Sequence, residues 1–379
     1  MNGNSGSHRA REALKHSDLR YRLIFDHCND AIMVIYPELD EIIEANAQVC
    51  SMLGYPRDEL LSTPISRIHP DEMSELMAFA RSVMKEGAGW TDELTCMTKL
   101  GKRLPSEISA AVMHLDGKPF IITMIRDISR RRRAEEMLAA DLKVASRIQR
   151  SLIPDSVRRP DIEIEVRYHP LNEIGGDYLG IRFVSDKQLY LTMCDVQGHG
   201  ISSALLASRV NSKVLDLIGS NPNPGRVVWG LNDFINMYFS ETNMFVTFIC
   251  AHIDLERHTL TYSSAGHPRI LHRSAKSGRV HFLPTQNRPI GPFVDCLSET
   301  PETEHEVAAG DLLLFYSDGV IESFNEEVVA FGQERLAETV EKHDKGSIEE
   351  LADAVLEATK SWCSEHVRDD ISLLVVKVK

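Results

Sequence analysis

The sequence predicts an α+β chain of two domains joined by a helix. Residues 19–128 mix short apolar runs with broken helical pieces and close in strands punctuated by hairpin turns. Residues 129–158 run as helix with no proline before Pro154. Residues 159–379 alternate β-rich runs with long amphipathic helices. A chain of 379 residues has room for two or three domains, and its apolar fraction of 43% lets each bury a core.

Taken in order, residues 1–18 are polar and read as a flexible N-terminus. In the first domain a helical start leads into a strand at Ala31–Tyr36, and EIIEANAQVCSMLGY gives a second strand and a helix ended by Gly54. Pro64 and Pro70 break the next helical stretch. After Gly87 three strands follow, with LGK and DGK as their turns. In the linker, Leu138, Leu142, Ala145, Gln149 and Leu152 fall along one narrow seam. That seam suits either a homodimer, with Gln149 fixing its register, or packing onto the domain that follows. The second domain offers seven strands, among them QLYLTMCDV, DLLLFYSDGV and the terminal ISLLVVKVK, with two long helices at 203–218 and 347–362. Ser347 is placed to cap the second of these. Strands flanked by helices predict two packed sheets with helices outside.

The first 16 residues lack an apolar signal region, and no apolar stretch reaches the roughly 18 residues needed to cross a bilayer. Seven scattered cysteines without a CxxC pair fit reduced core thiols in a cytoplasmic protein and carry no zinc signature. The net charge is −14, yet residues 126–159 hold ten Lys/Arg against five Asp/Glu. One basic joint on an acidic chain is not the broad basic face that nucleic acid requires.

The chemistry concentrates in four acidic strings: GGDY with Asp177, DVQGHG with Asp195, SDGV with Asp318, and RDDIS with Asp369 and Asp370. Each falls where a strand meets a turn, and glycine beside three of them lets backbone approach closely. Gathered by folding, the carboxylates would repel one another unless cations lay between them, so the set predicts bound divalent metal. Metal beside open water is a main route to phosphoester hydrolysis. GGDY alone would also suit a GTP-condensing cyclase of the GGDEF type, but the Glu-Phe that should follow is missing and the other aspartates would go unexplained.

RIQRSLIP, IGGDY, DVQGHGISSALLAS, MFVTFICAHID, SAGHP, FYSDGVIES and RDDISLL occur in this order over about 230 residues. Together they resemble the SpoIIE/RsbU-type branch of the metal-dependent Ser/Thr protein phosphatases (PPM family), whose fold is an α-β-β-α sandwich. The resemblance implies two manganese or magnesium ions. Asp195 would bridge them, the Val196 carbonyl would join one, Asp318 and Asp369 would complete the other, and Asp177 would act directly or through water. Family members often carry a second aspartate after GGDY, where this chain has Gly180. The general acid is not evident: His199 is a weak candidate, and His267 in AGHP reads as structural. Asn172, Ser202 and Ser203 read as capping groups near the site.

The NDAI opening, EANAQVCSMLGY, IHPDE and the closing RDISRRRRAEE resemble a PAS sensor domain over about 110 residues. No PAS ligand is named by the sequence; His27, His69 or His114 could meet a haem, but a lone histidine is far more often a surface or core residue than a ligand. A PAS domain on such a phosphatase resembles RsbP-like stress regulators. The resemblance implies a phosphorylated anti-anti-sigma (STAS) protein as substrate in a partner-switching pathway. The competing expectation is a sensory scaffold whose phosphatase-like domain binds a signalling partner without turnover.

Overall fold

A computed structural model describes residues 16, 19–198, 200–291, 302–364 and 366–379. By its contacts the chain divides into two compact units, Met1–Ala139 and Ala140–Lys379.

The first unit is built on antiparallel strands in the order Glu41–Ala45, Ala31–Tyr36, Lys118–Asp127, Arg103–Leu115 and Ala88–Thr91, with Thr95–Met97 also paired to Arg103–Leu115. Four pieces therefore form after Gly87 where the sequence suggested three. Short helices at Ala47–Leu53, Arg57–Leu61, Ile65–Ile68 and Met73–Glu86 place Val49, Leu53, Leu60, Ile68 and Val83 against Met33, Ile35, Ile108, Ile121 and Ile125 of the sheet. The EANAQVC string owes its form to Asn46. Its Oδ1 accepts from Val49 N at 3.0 Å as a helix cap and from Ile32 N at 2.9 Å, while Nδ2 donates to the carbonyls of Phe25 and Asp30. Gly54 then ends the helix at φ 75°.

The linker helix spans Ser129–Arg150. Asp127 Oδ1 accepts from Ser129 N at 2.8 Å, which holds its start. It stops short of the sequence boundary because Ser151 to Ile153 turn tightly ahead of Pro154, which disfavours helix in the residue before it. Met137, Leu138, Val144 and Ile148 are exposed along it.

The second unit holds two antiparallel sheets. One runs Thr303–Glu306, Thr259–Ala265, Val246–Asp254, Gln188–Val196, Tyr178–Phe183; the other runs Val280–Phe282, Leu271–Arg273, Leu312–Tyr316, Ile371–Val378, Ile162–His169, Val157–Arg158. Leu179, Leu191, Met193 and Ile249 of the first meet Ile164, Leu313, Phe315 and Leu374 of the second in a shared core. Helices Ile201–Ser220 and Pro224–Phe239 bury Val210, Val214 and Leu231 against the outer side of the first sheet. Gly332–His343 and Ile348–Trp362 bury Leu336, Val340, Leu351 and Val355 against the second. This is the expected α-β-β-α sandwich. Ser347 caps its helix in a reciprocal pair with Glu350, as its position suggested. Pro224–Phe239 and Gly332–His343 are additional helices, and Leu271–Arg273, Val280–Phe282 and Thr303–Glu306 are strands too short for a periodicity to announce.

Candidate active site

Strand pairing brings the aspartates together. In the first sheet Cys194 pairs with Tyr178, so Asp195 at one strand's end neighbours Asp177 just before the next. In the second sheet Tyr316 pairs with Leu373, so Asp318 just beyond one strand neighbours Asp369 and Asp370 just before the other. Hydrogen bonds from Ser372 Oγ to Asp177 and from Gly176 N to Asp370 Oδ2 join the two pairs at one end of the sandwich.

Close packing of backbone makes this possible. A Cβ at Gly176 would lie 2.7 Å from the Val196 carbonyl oxygen, and one at Gly319 would lie 2.1 Å from that of Asp370. Ser317 and Ser372 stitch the second pair: Ser317 Oγ donates to the Asp370 carbonyl at 3.1 Å and accepts from Ser372 N at 3.0 Å. Ser372 Oγ in turn donates to Asp177 Oδ2, tying one sheet's aspartate to the other sheet. Asp370, expected among the metal ligands, spends its carboxylate on the loop: Oδ1 accepts from Leu171 N at 2.7 Å and Oδ2 from Gly176 N at 2.6 Å. Its visible work is to position Gly176 and hence Asp177.

The electrostatics are those of an uncompensated acidic cluster. Asp177 is 2% exposed, and its carboxyl is held well above the usual range by burial and then by Asp195 and Asp370. Burial, followed by the charges of Asp318, Asp369 and Asp370, pushes Asp195 up to about 8. Burial and then Asp369 and Glu322 push Asp318 up to about 6. Asp177 Oδ1 and Asp318 Oδ1 are buried without a hydrogen-bond partner. Buried carboxylate oxygens left unpaired are costly unless a cation meets them, so the donor set fits hard divalent metal. Among the described residues, no three of these carboxylates bring one oxygen each within 4.8 Å of one another.

Gly180 lies in a strand where a Cβ would meet Thr192 Oγ1 at 2.3 Å and the Tyr178 hydroxyl at 2.4 Å, so these two groups occupy the room an acidic side chain would need. His267 is buried, bonds Thr247 Oγ1 through Nδ1 at 2.9 Å, and is pushed down to about 3 by burial, in keeping with a structural role. Ser203 Oγ donates to the Gly200 carbonyl rather than capping the helix, whose start is Gly200 itself. His199 lies outside the described residues.

Two contributions were missed. Ser372 could have been inferred, because residues two apart on a strand share a face and Asp370 is its neighbour. Gln149 could not: it is buried, Nε2 donating to the Gly175 carbonyl at 2.6 Å and Oε1 accepting from Gly175 N at 3.0 Å. Of the two packings its seam position allowed, the structure shows Gln149 bonded within its own chain. The linker's last turn grips the GGDY loop.

Comparison with known proteins agrees with this architecture. Residues 185–379 match the family described as Stage II sporulation protein E (SpoIIE), and residues 29–130 match the PAS domain. The phosphoserine phosphatase RsbU of Bacillus subtilis is 23% identical over 331 residues, covering 85% of this chain and 96% of RsbU. The phosphoserine phosphatase RsbP of the same organism is 26% identical over 243 residues, covering 63% of this chain and 58% of RsbP. Among solved structures, the SiaA PP2C domain of Pseudomonas aeruginosa superposes with a TM-score of 0.57 at 21% identity, covering 65% of this chain and 99% of that domain. The chain therefore belongs to the SpoIIE family, a PP2C-type phosphatase domain carried behind a PAS domain.

Proposed function

We propose that this phosphatase is metal-dependent and removes phosphate from a serine or threonine of a protein partner under control of the PAS domain. The observation that carries it is the convergence of Asp177, Asp195, Asp318 and Asp369 at one end of the sandwich, with buried carboxylate oxygens that have no partner. Asp195, the Val196 carbonyl, Asp318, Asp369 and Asp177 would hold two manganese or magnesium ions. Such ions, when bound, acidify water, neutralise phosphate oxygens and align in-line attack.

The chain's own groups do the positioning. Ser372 orients Asp177 by donating to Oδ2, and Asp370 fixes the Gly176 backbone from which Asp177 projects. Ser317 clamps the two strand ends that carry Asp318 and Asp369. Phosphate is anionic, and the net charge of −14 would repel it without metal, so cations in the cluster reverse the local sign.

Similarity to RsbU along nearly its whole length supports a phosphoserine substrate. The partner we assign is a phosphorylated anti-anti-sigma (STAS) protein in a cytoplasmic partner-switching pathway that governs a sigma factor under stress. No helix among the described residues is long and apolar enough to cross a membrane. The exposed Met137, Leu138, Val144 and Ile148 of the linker offer apolar surface for a homodimer. We assign residues 129–158 to a switch segment, with the PAS domain at 19–128 and the phosphatase domain at 159–379. A PAS signal altering that helix reaches Gly175 through Gln149 and so biases the order of Asp177.

The test is release of phosphate from a phosphorylated STAS protein by the full chain, with and without manganese. Metal-dependent release abolished by Asp318→Asn is the expected result. Binding of the phosphoprotein without release at any metal concentration would instead establish a scaffold.

A further inference from the structure

The edge of the sandwich carries a second group of ligand-type side chains. His272 lies mid-strand in Leu271–Arg273, opposite His281 of Val280–Phe282, at one edge of the second sheet. His305 lies in Thr303–Glu306, the edge strand of the other sheet. The three imidazoles each offer one nitrogen, and those atoms lie within 4.8 Å of one another. His272 Nδ1 is 3.2 Å from His281 Nε2 and 2.9 Å from His305 Nε2.

A hydrogen-bond network alone does not account for this convergence. His272 Nε2 faces Asp311 Oδ2 at 2.9 Å, which assigns the His272 proton to Nε2 and leaves Nδ1 as the acceptor. An imidazole acceptor has a single in-plane lone pair, yet two Nε2 atoms from different strands crowd this one. Only one of them can make a well-directed bond to it. Three lone pairs turned toward a common point satisfy all three rings at once. Nitrogen–metal bonds of about 2.0–2.1 Å in a tetrahedron put ligand nitrogens about 3.3 Å apart, close to the two separations seen. The rings are also mutually inclined, at 62°, 84° and 60°, so none stacks on another.

The support behind His272 is of the kind that metal-binding histidines use. Asp311 is 3% exposed, its Oδ1 accepts from Ala275 N at 2.7 Å and its Oδ2 accepts from Ala308 N at 2.8 Å. The carboxylate is thereby fixed from both flanking turns, and it in turn fixes the His272 ring. His272 is buried and His281 exposed, so the group opens to solvent, and water can supply a fourth ligand.

We propose that His272, His281 and His305 form a zinc-type site, distinct from the acidic cluster, that ties the edge strands of the two sheets together. Imidazole donors select zinc, copper or nickel over magnesium and manganese, so the two sites prefer different ions. The sequence carried no zinc signature because that expectation rested on cysteine spacing. The donors are histidines on three short strands: His272 and His281 meet by pairing within one sheet, and the packing of the other sheet brings His305 to them.

The test uses full-length protein stripped of metal and then held in excess magnesium, with zinc added and heat of binding recorded. One zinc per chain is expected, with cobalt giving the intense visible absorption of a four-coordinate nitrogen-rich site rather than the weak bands of an oxygen site. His281→Gln and His305→Gln should each weaken zinc binding about 10-fold or more and abolish the cobalt band, whereas Asp318→Asn should leave both unchanged. His281 is exposed, so its variant is expected to fold, and zinc should raise the melting temperature of the parent but not of that variant. Zinc binding of equal strength in the parent and both histidine variants, or no binding at 100 µM zinc (about −5.5 kcal/mol), would overturn the site. Neither result depends on hydrolysis, so its failure is separate from failure of the phosphatase reading.

Discussion

The acidic end of the sandwich and its histidine edge are assembled by opposite means. Asp177, Asp195, Asp318 and Asp369 sit at strand ends, each in a short string whose glycine or serine neighbours shape the turn. His272, His281 and His305 sit within strands of three or four residues. The first group leaves buried oxygens unpaired; the second brings three ring nitrogens within 4.8 Å of one another and is braced by Asp311. Strand ends tolerate the backbone contortions of a catalytic loop, whereas strand interiors give rigid placement with little room for substrate. On the readings proposed above, the difference separates a site for turnover from a site for holding.

Removing a carboxylate from the acidic end should give the largest effect. Asp195→Asn is expected to lower metal-dependent phosphate release by on the order of 10²–10³ or more. The same substitution should raise the melting temperature of metal-free protein, because it relieves repulsion with Asp318, Asp369 and Asp370. Loss of activity together with loss of stability would show that Asp195 is chiefly structural.

Next comes the backbone that positions the cluster. In Gly319→Ala the new methyl would fall 2.1 Å from the Asp370 carbonyl oxygen, so the strand ends bearing Asp318 and Asp369 must separate. We expect a cost of about 1–3 kcal/mol in urea unfolding and a drop in turnover of about 10²-fold through misplaced ligands. Gln149→Ala should cost about 1–3 kcal/mol by leaving the Gly175 backbone groups unpaired. It should also make turnover indifferent to deletion of residues 1–128. Turnover that still responds to that deletion would show that the PAS signal travels by another route.

How much of this was legible follows the same division. The strings IGGDY, DVQGHG, FYSDGV and RDDIS display their chemistry locally, because glycine and aspartate at a strand end carry both conformation and function. The helix of Ser347 was legible for the same reason, its cap and its apolar spacing both being local. Gln149 was not, since its partner Gly175 is 26 residues away and its position on the linker seam suited two packings equally. Nor were the strands of His272, His281 and His305, where three or four residues are too few to show a period and His305 belongs to a different sheet from the other two.

A milder test of the acidic end is its pH dependence. The carboxyl of Asp195 is held at about 8 by burial and then by its neighbours, whereas the unfolded chain gives up the same proton near pH 4. Between these values the folded protein binds more protons than the unfolded one, so the stability of metal-stripped protein should fall as pH rises from about 4 to about 8. Thermal melts across that range should show the decline in the parent and a flatter profile in Asp195→Asn. Manganese should remove most of the slope by supplying the missing positive charge. A parent profile as flat as the variant's would mean that the cluster is not strained without metal.

The smallest expected effect is the most discriminating. His281→Gln touches neither the aspartates nor the serines that brace them, and distant sites act independently on stability and rate. Phosphate release in manganese should therefore stay within about twofold of the parent, while zinc-dependent stabilisation disappears. An equal loss of both would join the two clusters into one functional unit, with the edge strands transmitting to the acidic end through the sheets they close. Preserved turnover with lost zinc response would keep them apart, as their different spacing and donor chemistry indicate.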